Sequence, residues 1–322
     1  MNQQILQAQS RLNQIMSAGL RVDGITGPAT RRAVAAFQKS HGLVPDGIIG
    51  RRTSAALGIG PAPAPSPSPQ VQPKPGPVAP ESVRDTTPPL LTQYFRMPLG
   101  GEAGAKPLTA VFFPSNFRAE APLDCIVWLQ GFHKLKLSID RYLDGSWDPK
   151  FRFREPINET AKNVVLIAPT LGPRSQAPAL VKPGGFDLWL SNVIASIGVH
   201  GPFNGTVPTL RHLILACHSG GGQPMRQIAL GTSRYASNLR ECWGFDCMYS
   251  KSDTTEWPAW SRSNPDKRLY VYFATRRPAE NSKLIGDAGL PNVIVRKAST
   301  KDHDSVPITH WKERIENFRT AP

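Results

Sequence analysis

The chain has 322 residues, and its 38 Lys and Arg exceed its 24 Asp and Glu, so the formal net charge at neutral pH is +14. This length predicts about two domains, and a hydrophobic fraction of 40% is enough to bury a sizeable core. The positive charge favours anionic partners, but no zinc-finger spacing, RNP motif or clustered basic helix indicates nucleic acid. No apolar run approaches the ~18 residues that a membrane-spanning helix needs.

Residues 1–60 contain an internal repeat. The segment 22–30, VDGITGPAT, recurs at 45–53 as PDGIIGRRT. Each copy has an Asp-Gly turn, since glycine tolerates positive φ, and each leads into an apolar pattern with helical spacing. An earlier helical pattern runs from about residue 2 to residue 18, so the sequence predicts a small all-α domain of three helices.

This repeat resembles the peptidoglycan-binding domain that many wall hydrolases carry at one end. The resemblance covers nearly all of residues 1–58, and it includes FQ at 37–38 and HGL at 41–43. It implies that bacterial peptidoglycan or a related wall polymer is a partner. Our candidate contacts with this polymer are Arg31, Gln38 and Arg51.

Residues 61–89 are dense in proline, reading PAPAPSPSPQVQPKPGPVAPESVRDTTPP. Because proline fixes φ and lacks an N–H, this segment should form neither a helix nor a central strand. We expect an extended tether of about 3.1 Å per residue. The predicted organisation is therefore a binding domain at 1–60, a linker at 61–89 and a second domain at 90–322.

In the second domain, short apolar runs alternate with helix-length segments. Strands are predicted at 110–114, 124–130, 164–169, 210–217, 242–248, 269–274 and 293–297, and helices at 186–197, 223–230 and 308–318. Continuous apolar strands separated by helices favour an α/β domain with a doubly wound, mostly parallel sheet covered on both faces.

The segment LILACHSGGG at 213–222 has the pattern of a nucleophile elbow. A buried strand ends, Ser219 follows between small residues, and a helix begins, which would expose the hydroxyl at the edge of the sheet. The usual motif is G-x-S-x-G; Cys217 stands at the first glycine position and Gly221 at the second. The start of the following helix favours negative charge developing near the serine.

A base and an acid are expected further along the chain. His303 lies between the last strand and the last helix, as the order Ser…acid…His requires, whereas His218 adjoins the serine and is expected to be positional. Asp246 is our candidate acid because it ends an apolar run, where a buried carboxylate needs a partner. Asp253 and Glu280 are the alternatives.

The oxyanion hole is expected from two backbone N–H groups. One belongs to Gly220, and the other to Phe132 or Gly131 in the turn after the strand at 124–130. These motifs resemble the α/β-hydrolase superfamily over about residues 105–320. Together with the first domain they resemble phage lysins and secreted wall esterases, which implies a secreted or phage-delivered protein of endolysin type.

We therefore predict a serine esterase (a carboxylic ester hydrolase) that acts on acyl or lipid esters at the bacterial cell wall. A serine peptidase or amidase of peptidoglycan, and a non-catalytic wall-binding protein with a degenerate hydrolase fold, are the alternatives. No metal or cofactor is expected, since HExxH and His-x-His are absent from the sequence. The four cysteines are expected to be unpaired.

The start of the chain has no basic region followed by an apolar core, so no signal peptide is predicted. Release by phage lysis, a dedicated export system or a leader missing from the sequence would bring the protein to an extracellular or periplasmic wall.

Overall fold

A computed structural model describes residues 3–59, 76–84, 91–97, 107–132, 152–160, 162–274 and 276–318. The chain divides into two compact units, Met1–Lys74 and Pro75–Pro322. Within these described ranges, no helix has both the length and the apolar character needed to cross a membrane.

The first unit consists of the three predicted helices, α1 (Gln3–Met16), α2 (Pro28–Ser40) and α3 (Arg51–Leu57). Pro28 occupies the first position of α2, where its missing N–H has no helical partner to lose. The helices enclose a small core of Ala8, Leu12, Val34, Phe37, Leu57 and Ile59.

A buried glutamine holds the first copy of the repeat. The amide nitrogen of Gln9 donates to Asp23 Oδ1 at 2.9 Å, to the Ile25 carbonyl at 3.0 Å and to Thr30 Oγ1 at 3.2 Å. The amide oxygen accepts the backbone N–H groups of Asp23 and Gly24. One side chain therefore satisfies the polar groups of the Asp-Gly turn and ties it to the helix that follows.

Gln38 plays the same part in the second copy. Its amide nitrogen donates to Asp46 Oδ1, the Ile48 carbonyl and Thr53 Oγ1 at 2.7, 3.0 and 3.0 Å, and its oxygen accepts the Gly47 N–H at 2.8 Å. The side chain is 2% exposed. A residue this buried holds its own loop, which argues against the wall contact expected of Gln38 from the sequence.

The second unit is a sheet of nine strands in the order β1-β2-β3-β5-β4-β6-β7-β8-β9. The strands are β1 (Pro80–Arg84), β2 (Thr92–Arg96), β3 (Leu108–Phe112), β4 (Leu123–Leu129), β5 (Val165–Pro169), β6 (Leu210–His218), β7 (Leu239–Phe245), β8 (Arg268–Phe273) and β9 (Val293–Lys297). The pairs β1–β2, β2–β3 and β3–β5 are antiparallel. The remaining neighbours, from β5 through β4 and β6 to β9, pair in parallel.

Helices cover both faces of this sheet. They are α4 (Arg154–Glu159), α5 (Pro178–Val181), α6 (Gly185–His200), α7 (Gly222–Leu230), α8 (Asp253–Ser263), α9 (Arg276–Gly286) and α10 (Ser305–Asn317). Strand β4 is buried throughout: Val127 belongs to the core cluster on one face and Trp128 to the cluster on the other. The predicted doubly wound, mostly parallel sheet is confirmed, and its strand order is that of an α/β-hydrolase fold.

One strand lies inside the segment predicted as a linker. Residues 80–84 form β1, which pairs antiparallel with β2 at the edge of the sheet. Proline is tolerated there because Pro80 is the first residue of an edge strand and the residues after it, ESVR, all have an N–H. The second unit therefore begins before residue 89. Residues 61–75 and 85–89 of the predicted linker lie outside the described residues.

Candidate active site

Ser219 stands at a sharp turn between β6 and α7. Its φ is +52°, in the left-handed region that costs free energy for any residue but glycine. The backbone after Ser219 is tightly enclosed. A Cβ added to Gly221 would lie 2.2 Å from the Leu129 carbonyl oxygen, and one added to Gly222 would lie 2.5 Å from the Cys247 carbonyl oxygen. This is the geometry of a nucleophile elbow, which requires small residues after the serine.

Asp246 follows β7 directly and also has a positive φ, +46°. Asp246 is fully buried, and its Oδ2 lies 2.6 Å from His303 Nδ1. The other carboxylate oxygen, Oδ1, accepts the Ala274 N–H at 2.9 Å. A carboxylate accepts, so His303 carries its proton on Nδ1 in the neutral state. That tautomer leaves Nε2 as the basic nitrogen of the ring.

His218, the last residue of β6, packs against His303. It is 3% exposed, and its ring centroid lies 4.4 Å from that of His303. Its Nε2 lies 3.1 Å from the main-chain carbonyl oxygen of His303, so this nitrogen is the donor. Burial is the main cause that lowers the pKa of His218 to about 3, and the charge of His303 is the second. His218 is therefore a neutral residue that positions the backbone of His303.

Two of the expected oxyanion-hole residues lie against the serine. An added Cβ at Gly131 would lie 2.9 Å from Ser219 Cβ and 3.0 Å from His218 Nδ1. At Gly220 it would lie 2.7 Å from Ser175 Oγ. Phe132, the next residue after Gly131, is 55% exposed. Residues 133–151, which follow Phe132, lie outside the described residues.

The two alternative acids have other surroundings. Asp253, at the start of α8, pairs with Arg226 at 2.7 Å and accepts the Ser250 N–H at 2.8 Å. Glu280 is exposed on α9. Of the three carboxylates considered from the sequence, Asp246 is the one that hydrogen-bonds to His303.

Tyr249 was not expected from the sequence. Its ring lies edge-on to that of His303, with centroids 6.4 Å apart. Burial raises the pKa of its phenol, and the nearby Ser219 hydroxyl acts on that pKa in the opposite direction. No motif indicates this residue; its position, three residues after Asp246 in the same loop, is the one signal that could have found it.

A cavity of about 360 Å³ opens beside Ser219 and Gly220. Most of its other lining side chains are polar or charged, namely Arg174, Gln223, Arg226, Tyr249, Ser250 and Asp253. Ser219 therefore faces a space large enough for a small organic group.

Metal ligation has one candidate group in the described part of the chain. His218, His303 and Asp304 each offer a ligand atom, and these atoms lie within 4.8 Å of one another. One nitrogen of each histidine is already hydrogen-bonded, His218 Nε2 to a carbonyl and His303 Nδ1 to Asp246. A metal bound there would compete with the proton transfer expected of His303.

All four cysteines are free and buried, as predicted. Cys217, at the first glycine position of the elbow motif, is fully buried in the core. Burial raises the pKa of the Cys242 thiol well above its ordinary value, so this thiol stays protonated and inert.

Comparison with known families identifies the first unit. Residues 1–57 match a family described as "Putative peptidoglycan binding domain". The chain carries a peptidoglycan-binding domain at its N-terminus. In this peptidoglycan-binding domain Arg31 is exposed on α2, whereas the side chain of Arg51 lies outside the described residues. Ile25 and Ile48, at equivalent positions of the two repeats, are 65% and 64% exposed.

No curated protein matches the sequence. Among solved structures, a feruloyl esterase module from Clostridium thermocellum is similar at 9% identity, covering 74% of this chain and 89% of that one, with a TM-score of 0.47. An IroE-like serine hydrolase from Shewanella oneidensis is similar at 10% identity, covering 70% and 79%, with a TM-score of 0.46.

The rice cell wall degrading esterase LipA from Xanthomonas oryzae is similar at 10% identity, covering 70% of this chain and 88% of that one, with a TM-score of 0.41.

Proposed function

We propose that this protein is a serine esterase that acts at the bacterial cell wall. The observation that carries the proposal is the hydrogen bond of 2.6 Å between Asp246 and His303, formed beside a serine with a φ of +52°. A buried carboxylate, an imidazole and a strained serine at one edge of a parallel sheet are the parts that acyl transfer needs.

In the proposed reaction, Ser219 Oγ attacks the ester carbonyl while His303 Nε2 takes the hydroxyl proton. The tetrahedral intermediate collapses, the bond to the alcohol oxygen breaks, and His303 returns the proton to the leaving alcohol. Water then attacks the acyl-enzyme, with His303 again as base. The bond between the acyl carbon and Ser219 Oγ breaks, His303 returns the proton to Oγ, and the acid is released. Asp246 holds the imidazole tautomer and stabilises the imidazolium that forms in each step.

The negative charge on the tetrahedral oxygen needs donors that are already in place. We assign this role to the N–H of Gly220 and to an N–H of the turn at Gly131 and Phe132. The close approach of Gly131 to Ser219 supports this assignment, because only a residue without Cβ brings its backbone so near.

The peptidoglycan-binding domain would keep the hydrolase close to its substrate. Because both units belong to one chain, binding of the first unit would raise the local concentration of the second at the wall without any new contact. We accordingly propose an ester of a wall polymer or wall-associated lipid as substrate, in a periplasmic or extracellular location.

The first test is hydrolysis of para-nitrophenyl esters by the full chain and by Ser219→Ala, with Ser263→Ala on the exposed end of α8 as a matched control. We expect turnover and fluorophosphonate labelling in the native protein and the control, and neither in Ser219→Ala. Release of peptides from purified peptidoglycan without ester turnover would instead indicate an amidase. Absence of both, with wall binding intact, would indicate a binding protein.

A further inference from the structure

We propose that the cavity beside Ser219 binds an anionic group of the substrate, a carboxylate or a phosphate, and that Arg174 is the residue that recognises it. This inference rests on the proposed esterase function and adds the chemical class of ester that the site accepts.

The first observation is the polar character of the cavity. None of the described residues that line it has an aliphatic side chain, and seven of them, including Ser219, have polar or charged ones. A long hydrocarbon chain gains its binding free energy by leaving water for an apolar wall. The described lining offers no aliphatic side chain for such a wall, so a hydrophilic group suits the cavity better than a lipid tail.

The second observation is the balance of charge in the cavity. Arg226 lies 2.7 Å from an Asp253 carboxylate oxygen and 3.1 Å from a Glu256 oxygen, so its charge is compensated. Arg174 also lines the cavity and is exposed, but its guanidinium forms no hydrogen bond or ion pair with any described residue. It is therefore the cation that can accept an anion without first giving up a partner.

The third observation is the shape of the loop that carries Arg174. The Arg174 N–H donates to Gln176 Oε1 at 2.7 Å, and the Ser175 N–H donates to the Gly172 carbonyl at 2.7 Å. Ser175 has a φ of +59° and is 1% exposed. Its hydroxyl lies against Gly220, 2.7 Å from where a Cβ would be. These contacts fix the backbone of Arg174 relative to the nucleophile.

The chemistry of the guanidinium limits the ligand. Its planar fork matches carboxylate and phosphate oxygens in a bidentate geometry, and an anion held there would lie within reach of an ester at Ser219. Both groups occur on wall polymers, so the ligand class is an anionic ester. The anion could belong to the acyl part or to the alcohol part, and matched substrates separate the two.

The experiment compares each charged ester with a neutral one of the same shape. On the alcohol side, para-acetoxybenzoate and para-acetoxyphenyl phosphate are measured against methyl para-acetoxybenzoate. On the acyl side, mono-para-nitrophenyl adipate is measured against para-nitrophenyl hexanoate. The enzymes are the native chain, Arg174→Gln, and Arg262→Gln as a control that removes one exposed charge at the far end of α8.

We expect the native chain and Arg262→Gln to prefer one charged series by roughly five- to tenfold in kcat/KM, the size expected of a partly exposed charge pair. Arg174→Gln should lose this preference while keeping its rate on the neutral esters, and added salt should weaken the preference of the native chain.

A preference that survives in Arg174→Gln, or faster turnover of the neutral esters by the native chain, would overturn the role of Arg174 and leave the esterase intact. If no ester, charged or neutral, is turned over in a Ser219-dependent way, the proposed function fails and the anionic substrate fails with it.

Discussion

The carboxylate of Asp246 lies 2.6 Å from Nδ1 of His303, although the two residues are 57 positions apart in the chain. Asp246 follows β7, which is the neighbour of β6, the strand that ends just before Ser219. His303 follows β9, two strands further along. In a parallel sheet the carboxyl ends of the strands share one edge, so these loops meet above Ser219.

The first prediction concerns this pair. Asp246→Asn should lower kcat by about 10³–10⁴, because an amide cannot hold the His303 tautomer or stabilise the imidazolium. Steady-state kinetics on a para-nitrophenyl ester would measure the loss. Glu280→Gln removes an exposed carboxylate and should keep full activity. The assignment of the acid would be wrong if Glu280→Gln, and not Asp246→Asn, abolished turnover.

The second prediction concerns the backbone beside the serine. Gly131→Ala should lower kcat by about 10²–10³, since a Cβ only 2.9 Å from Ser219 Cβ must displace an oxyanion donor or the nucleophile. Gly27→Ala is the control, because no atom lies within 4 Å of the Cβ it would add. Normal turnover by Gly131→Ala would contradict the proposed oxyanion hole.

The third prediction is a pH dependence of stability. The pKa of His218 falls from 6.5 to about 3 on folding, so between these values the unfolded chain binds a proton that the folded chain does not. The contribution of His218 to the free energy of unfolding is therefore full above about pH 6.5. It declines as the pH falls towards 3, with a slope of at most about 1.4 kcal/mol per pH unit.

Urea unfolding at several pH values would test this, with tryptophan fluorescence as the probe. All 7 tryptophans lie after residue 75, so the signal reports on the second unit. His218→Gln cannot take up the proton and should flatten the dependence. Equal pH profiles for the native chain and His218→Gln would show that other groups cause the acid sensitivity.

The fourth prediction concerns Tyr249. Its phenol stays protonated and lies near Ser219, so it can donate a hydrogen bond to the oxygens that react there. Tyr249→Phe keeps the ring beside His303 and removes the donor, and we expect kcat to fall about tenfold, the net value of one such bond, with KM little changed. A rise in KM alone would place Tyr249 in substrate binding instead.

The fifth prediction concerns the peptidoglycan-binding domain. Gln9→Leu should destabilise this domain by about 1–3 kcal/mol, because the Asp-Gly turn would keep buried polar groups without a partner. The full chain should then sediment less with purified wall while its turnover of a soluble ester is unchanged. Gln14→Leu, on the exposed face of α1, is the matched control and should bind normally.

Local chemistry made much of this molecule predictable. The Asp-Gly repeats predicted the turns between the helices, and apolar runs such as 210–217 predicted the buried strands, because turns and full burial leave strong local patterns. Strand β1 was missed because prolines surround it, and the pairing of residues 80–84 with β2 is a long-range contact that no local pattern indicates.

The amino-acid sequence by itself determined the sharp turn at Ser219 and the small residues around it, since these depend on neighbours in the chain. It also predicted a serine, an acid and a histidine in that order. Tertiary structure decided which carboxylate bonds to His303, why Gln38 is buried, and that Arg174 lines the cavity beside Ser219. The first and the third depend on which loops the strand order brings to one edge of the sheet. The burial of Gln38 depends on how its helix packs against the Asp-Gly turn. Such contacts join residues far apart in the chain, and no spacing within the sequence encodes them.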